Sequence, residues 1–139
     1  MNIKLPGKLK RAKIIKFQGK RSFAQSVNHA LDGISYVTKK ERNFKIEIIV
    51  GILVILLGFL LKVTIVEWLI LIITIALVLC FEIINTALER CVDLVTKDYQ
   101  ELAKVTKDAA AGAVLVMSMF AIVIGIIIFL PKLANLLYN

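Results

Sequence analysis

Hydrophobic and polar positions follow four different patterns along this chain. Residues 1–21 (MNIKLPGKLKRAKIIKFQGKR) scatter apolar side chains among lysines and arginines without a sustained period, which predicts an arm rather than a packed element. From Ser22 to Lys40 the apolar positions Phe23, Val27, Ala30, Leu31, Ile34 and Val37 recur every three or four residues. That spacing predicts an amphipathic helix on a membrane surface, over about residues 22–40. Three long apolar runs follow, over about 46–66, 68–95 and 109–130. Each is close to or beyond the ~20 residues that carry a helix across a bilayer. The second starts at Trp68, an interfacial aromatic. The third, Ala109 to Leu130, has 22 consecutive uncharged residues, and Pro131 is expected to close it. The pattern predicts an all-α membrane protein: a surface helix and three transmembrane helices, with 22–139 as one membrane domain behind the 1–21 arm.

Composition agrees. Hydrophobic residues make up 59% of the 139 positions and the mean hydropathy is +0.84, above the roughly 45–50% apolar content of soluble domains. The net charge of +8 changes the picture only through its distribution. Twelve of the 18 Lys and Arg residues precede position 46, with few aromatics and no nucleic-acid-binding pattern among them. A basic surface facing anionic lipid accounts for them, and no nucleic-acid partner is expected. The arm is too long and too basic for a signal peptide, and no small-residue cleavage pattern follows it. By the positive-inside rule, the N-terminus and the 90–108 segment lie in the cytoplasm and the C-terminus outside. Cys80 and Cys91, eleven residues apart on one predicted helix, stand roughly 16 Å apart, beyond disulfide reach. His29 is the one histidine, which excludes a histidine-rich metal site.

The anomaly lies in the second apolar run. In CFEIINTALERCVD, Glu82, Asn85, Glu89 and Asp93 interrupt an otherwise spanning helix. Each ionisable side chain at bilayer depth costs roughly 2.5–3.5 kcal/mol on insertion scales. With Glu82 at zero on a 3.6-residue helix, Asn85 falls at roughly 300°, Glu89 at roughly 340° and Asp93 at roughly 20°. One narrow face therefore carries a carboxylate stripe about 16 Å long, from bilayer towards water. Glu41, Asp98, Glu101, Lys107 and Asp108 are expected at the same membrane face. Small residues at 109–113 permit close helix approach and hence a homo-oligomer.

Carboxylates at such a boundary suit Mg²⁺, which takes one or two of them together with substrate phosphates. A second, partly desolvated carboxylate suits a general base, and Lys107 beside Asp108 suits a phosphate contact. These parts fit phosphoryl transfer to a lipid hydroxyl, a reaction that rests on positioning and charge neutralisation. The P-loop, G-x-G-x-x-G, H-R-D and D-F-G strings of soluble kinases are absent from the sequence. A second class of reading remains at this point: a non-enzymatic oligomeric scaffold or small transporter, with the stripe as a polar seam or ion path.

The string Glu82-Ile-Ile-Asn85-Thr-Ala-Leu-Glu89-Arg-Cys-Val-Asp93 closely resembles the hallmark E-x-x-N-[ST]-A-[IL]-E-x-x-[VI]-D of the small prokaryotic diacylglycerol kinase and undecaprenol kinase family. The resemblance extends to Ala30-Leu-Asp-Gly33-Ile, Glu41-Arg-Asn-Phe-Lys-Ile-Glu47, Tyr99-Gln-Glu-Leu102 and Lys107-Asp108-Ala-Ala-Ala-Gly-Ala113, over roughly residues 22–131. It implies a lipid kinase using ATP and Mg²⁺, built as a homotrimer of three-span subunits with active sites shared between neighbours. It implies Glu82 as catalytic base and Asn85 as its active-site neighbour, with Glu41 and Glu89 holding Mg²⁺ against the nucleotide. His29, Asp98, Tyr99, Gln100, Lys107 and Asp108 match nucleotide-contacting positions, while Glu47 and Ala111 match positions near the lipid. Asp93 and Glu101 take no assigned role. The chain departs from the family's pattern twice: an arginine of some relatives aligns near Ser22, with Arg21 adjacent, and Glu47 stands where many undecaprenol-type members carry histidine. The Glu41-Arg-Asn-Phe-Lys-Ile string still resembles the undecaprenol branch. Undecaprenol is thus the expected acceptor and diacylglycerol the alternative, in the inner or plasma membrane of a prokaryote.

Overall fold

A computed structural model describes residues 22–138; the basic arm, 1–21, lies outside the described residues. Four helices follow one another: α1 (Phe23–Lys40), α2 (Arg42–Leu60), α3 (Ile65–Val95) and α4 (Glu101–Tyr138). No strand occurs among the described residues. The last three helices are long and apolar enough to cross a membrane, and the chain is an all-α membrane protein.

Local chemistry sets each junction. The α1 N-terminus is closed by Gln25, whose Oε1 accepts from the Ser22 backbone N–H at 3.2 Å. Lys39 and Lys40 occupy the last turn of α1, where cations suit the negative end of the helix dipole. A single residue, Glu41, with φ −96° and ψ 124°, separates α1 from α2. Its N–H still donates to the Val37 carbonyl at 2.8 Å, and Lys45 Nζ donates to the Lys39 carbonyl at 3.0 Å. Both bonds satisfy carbonyls that a helix end would otherwise leave open. Phe23, Val27, Leu31 and Ile34 form an exposed apolar row on α1, as expected of a helix lying on lipid.

The α2–α3 turn is a Schellman closure. Val63 N–H reaches the Gly58 carbonyl at 3.1 Å, and Lys62 N–H reaches Phe59 at 3.3 Å. Lys62 therefore adopts φ 48°, a left-handed conformation that costs a non-glycine residue about 1–2 kcal/mol. Thr64 then caps α3: its N–H donates to Glu67 Oε2 at 2.6 Å, while Glu67 N–H donates to Thr64 Oγ1 at 3.4 Å. This capping box starts α3 at Ile65, three residues ahead of Trp68.

α4 departs most from expectation. It begins at Glu101 rather than Ala109, so Lys107 and Asp108 lie two turns inside a helix. Pro131 does not close it but sits within it. Lys132 Nζ meets Glu67 Oε2 at 3.0 Å, which ties the turn after the proline to the start of α3. Neighbouring elements can compensate the backbone bond that an intramembrane proline removes.

α3 and α4 share the largest interface, α2 packs on α3, and α1 touches α2 and α3. The buried apolar cluster of Val63, Leu71, Ile128 and Phe129 lies at the α2–α3 turn, with Trp68, Leu57 and Ile124 packed against it. Trp68 also stacks at a tilt on Phe59, ring centroids 4.8 Å apart. Its indole lies against Gly58, where an added Cβ would meet the ring at 2.8 Å. Gly58→Ala should therefore lower the unfolding free energy in mixed micelles by about 1–3 kcal/mol, the usual cost of overpacking.

Candidate functional site

The stripe on α3 lies at the end of the bundle opposite that cluster, where Glu41, the last turns of α3 and the first turns of α4 meet. Glu82 is 2% exposed and Asn85 8%; Glu89 is half-buried. Asn85 Nδ2 donates to Glu89 Oε1 at 3.4 Å, one helical turn away. The four stripe residues thus form a gradient along one face, dry at Glu82 and wet at Asp93, whose side chain is 45% exposed.

Glu82 and Asn85 open into a groove of about 320 Å³. The other walls come from α2, through Asn43, Ile46 and Glu47, and from α4, through Ala111, Val114, Leu115 and Ser118. Glu47 and Glu82, from different helices, therefore face one space. Glu47 Oε2, Asn85 Oδ1 and Thr86 Oγ1 are buried without a hydrogen-bond partner among the described residues. Buried polar atoms are almost always paired in proteins, so unpaired acceptors of this kind mark a place that a ligand's donors complete. A second pocket, of about 450 Å³, continues from the first through the shared residues Ile46, Glu47 and Ser118. Its walls are nearly all apolar, among them Val50, Leu57, Leu71, Val78, Ile122 and Phe129, with Gly51 and Gly125 keeping them low.

On the water side of the groove the charges are ordered. Glu41 Oε1 accepts from Arg90 Nη2 at 2.7 Å, and Arg90 Nη1 stands 3.7 Å from Asp93 Oδ2. Lys107 Nζ from α4 donates to the other Asp93 oxygen, Oδ1. The Arg90 guanidinium also lies 5.8 Å from the centre of the Tyr36 ring. Glu41, Glu82 and Glu89 are near enough to interact electrostatically.

The other expected positions are more scattered. His29 is exposed on α1, 3.9 Å from Asp32. Asp98, Tyr99 and Gln100 are exposed in the α3–α4 connection, ahead of Glu101 at the start of α4. The Asp98 N–H donates to Thr96 Oγ1 at 3.1 Å, an ordered turn. Asp108 faces away from Lys107's partner and lies 3.9 Å from Lys104. No group of three His, Cys, Asp or Glu side chains that would cage a metal occurs among the described residues. Glu41 and Glu89 nonetheless supply the hard oxygen donors that Mg²⁺ uses when phosphates complete its shell.

A pattern common to the prokaryotic diacylglycerol kinases matches residues 28–129. The chain belongs to the prokaryotic diacylglycerol kinase family. The kinase is 43% identical over 111 residues to the undecaprenol kinase of Bacillus subtilis (strain 168), covering 80% of this chain and 90% of that protein. It is 42% identical over 113 residues to the diacylglycerol kinase of Synechocystis sp. (strain ATCC 27184 / PCC 6803 / Kazusa), covering 81% of this chain and 65% of that one. With the diacylglycerol kinase of Helicobacter pylori (strain J99 / ATCC 700824) it shares 29% identity over 105 residues, 76% of this chain and 82% of that protein. The chain is therefore a membrane lipid kinase, and the scaffold or transporter reading falls away.

Sequence reasoning passed over Arg90, Asn43, Thr86 and Ser118. Arg90 and Thr86 sit within the 82–93 string and Asn43 within the 41–47 string, so all three were in view as unassigned motif letters. Ser118, in a bland apolar run, carried no local signal. If the buried polar cluster serves a ligand rather than the fold, Thr86→Val should leave the unfolding free energy unchanged or raise it by about 1 kcal/mol. A loss of ~1–3 kcal/mol in denaturant unfolding would make Thr86 structural.

Proposed function

We propose that this lipid kinase transfers the γ-phosphate of ATP to the hydroxyl of undecaprenol, giving undecaprenyl phosphate, with diacylglycerol as the alternative acceptor. The observation that carries the reading is the juxtaposition of three environments. A groove holding the buried Glu82 and the half-buried Glu47 continues on one side into an apolar pocket of about 450 Å³. On the other side it borders the ionic mouth of Glu41, Arg90, Asp93 and Lys107. A lipid alcohol with a long hydrocarbon tail and a charged nucleotide need these two surroundings, meeting at one carboxylate. The likeness to the Bacillus subtilis undecaprenol kinase, over 90% of that protein, supports the polyprenol as acceptor.

In this reading the lipid hydroxyl enters beside Glu82, with Glu47 and Ala111 along its path. The Glu82 carboxylate accepts the hydroxyl proton as the lipid oxygen attacks the γ-phosphorus. The bond to the β–γ bridging oxygen breaks and ADP leaves. Asn85 holds Glu89 in place through its 3.4 Å amide contact. Glu41 and Glu89 would hold Mg²⁺, which when bound neutralises phosphate charge. Lys107 contacts phosphate, and His29, Asp98, Tyr99, Gln100 and Asp108 line the nucleotide's approach. The small residues at 109–113 of α4, which permit close approach of helices from different subunits, support a homotrimer in which neighbours complete the sites. The N-terminus and the 90–108 segment face the cytoplasm of a prokaryotic cell, and the C-terminus faces outward.

Protein reconstituted in lipid should transfer label from γ-labelled ATP to undecaprenol more efficiently than to diacylglycerol, and excess chelator should stop both reactions. Preference for diacylglycerol would reverse the acceptor assignment. Glu82→Gln should lower turnover by ~10²–10⁴-fold, the range lost with a general base, while the oligomer remains intact by size-exclusion chromatography. Full activity in that variant would remove Glu82 as the base.

A further inference from the structure

The ion pairs at the mouth form one alternating chain rather than separate contacts. Glu41, at the α1–α2 junction, holds Arg90 of α3; Arg90 is shared with Asp93; Asp93 holds Lys107 of α4. Both ends of this chain, Glu41 and Lys107, are residues that the proposed function assigns to the nucleotide site. Each end is already engaged with a protein partner of opposite charge. Entry of a polyphosphate changes that balance, because its oxygens compete with Glu41 and Asp93 for the same cations.

Arg90 is the member with most to gain. A guanidinium has five donors in a fixed fork that matches phosphate oxygens, and such charge-assisted pairs are roughly twice as strong as neutral ones. In the structure its polar partners are one oxygen of Glu41 at 2.7 Å and one of Asp93 at 3.7 Å. Its side chain remains 45% exposed, so it can turn without unpacking a core. The Tyr36 ring at 5.8 Å supports the guanidinium from the α1 side. Its contact with Glu41, which the proposed function pairs with Glu89 at the metal, puts Arg90 within side-chain reach of a phosphate held there.

We propose that Arg90 is a second cation of the nucleotide site, exchanging its Glu41 partner for a phosphate oxygen when nucleotide binds. The exchange frees the Glu41 carboxylate at the step where that carboxylate is needed. The four-residue ion chain is then the arrangement that nucleotide binding rearranges. Arg90 is a nucleotide-binding residue, and the proposal rests on the reading that Glu41 and Lys107 belong to the nucleotide site.

The test uses the full chain in lipid or detergent, comparing wild type, Arg90→Ala and Arg90→Lys. Equilibrium binding of a fluorescent, non-hydrolysable ATP analogue with Mg²⁺ is measured beside KM and kcat for each substrate. Arg90→Ala should weaken analogue binding and raise KM for ATP by about tenfold, with kcat and the lipid KM within threefold of wild type. Arg90→Lys, which keeps the charge but loses the fork, should recover part of the affinity. Unchanged or tighter analogue binding in Arg90→Ala would overturn the proposal. So would a uniform fall in kcat together with a lowered melting temperature in both variants, the mark of a merely structural pin. Lys107→Ala and Glu41→Gln serve as controls: if neither weakens analogue binding, the site reading fails, independently of the result at Arg90.

Discussion

The structure depends on one constraint: a carboxylate, Glu82, is held almost dry on a helix whose other buried residues are Leu71, Thr74, Asn85 and Thr86. Removing a charged group from water costs several kcal/mol unless something compensates it, and in a bilayer few partners are available. Among the described residues Glu82 meets no cation at ion-pair distance; the nearby charges are those of Glu41, Glu47 and Glu89. The proposed reaction gives that group its use as the base, and the surroundings are arranged to tolerate it. Asn85 and Thr86 sit beside it with acceptor atoms unspent, and the cations stand one or two turns further out, where water helps to solvate them.

That arrangement divides the molecule into two ends. At the α2–α3 turn, the Schellman closure, the Thr64–Glu67 capping box, the Glu67–Lys132 ion pair and the Val63, Leu71, Ile128 and Phe129 cluster lock three helices together. At the other end, apolar burial is sparse and ion pairs take its place. A rigid base and a more open, charged mouth suit an enzyme that must admit a lipid from the side and a nucleotide from the water. Ion pairs at half-exposed positions contribute little stability each, so they can exchange partners without endangering the fold.

Much of this was legible in the chain. The helical period placed Glu82, Asn85, Glu89 and Asp93 on one face, because side-chain direction on a helix follows from residue spacing alone. The surface helix and the three spans followed from apolar runs long enough for a bilayer. Helix ends were less legible where capping competes with hydropathy: α4 starts eight residues before its apolar run, since polar helical turns projecting into water cost nothing in hydropathy. Pro131 reads as a stop by local rules, yet the Lys132–Glu67 tie carries the helix beyond it.

Sequence by itself determined the class of the molecule, the location of its polar stripe and, through motif spacing, its family, because each of these is a property of one segment or one helix. Tertiary structure alone decided which distant residues face each other. It brought Glu47 of α2 to the groove of Glu82, set Ser118 where the polar groove and the apolar pocket join, and strung Glu41, Arg90, Asp93 and Lys107 into one chain from the α1–α2 junction through α3 to α4. These pairings depend on how helices are rotated and offset against one another. That geometry is set by packing and turn closure over the whole bundle, and no local period encodes it.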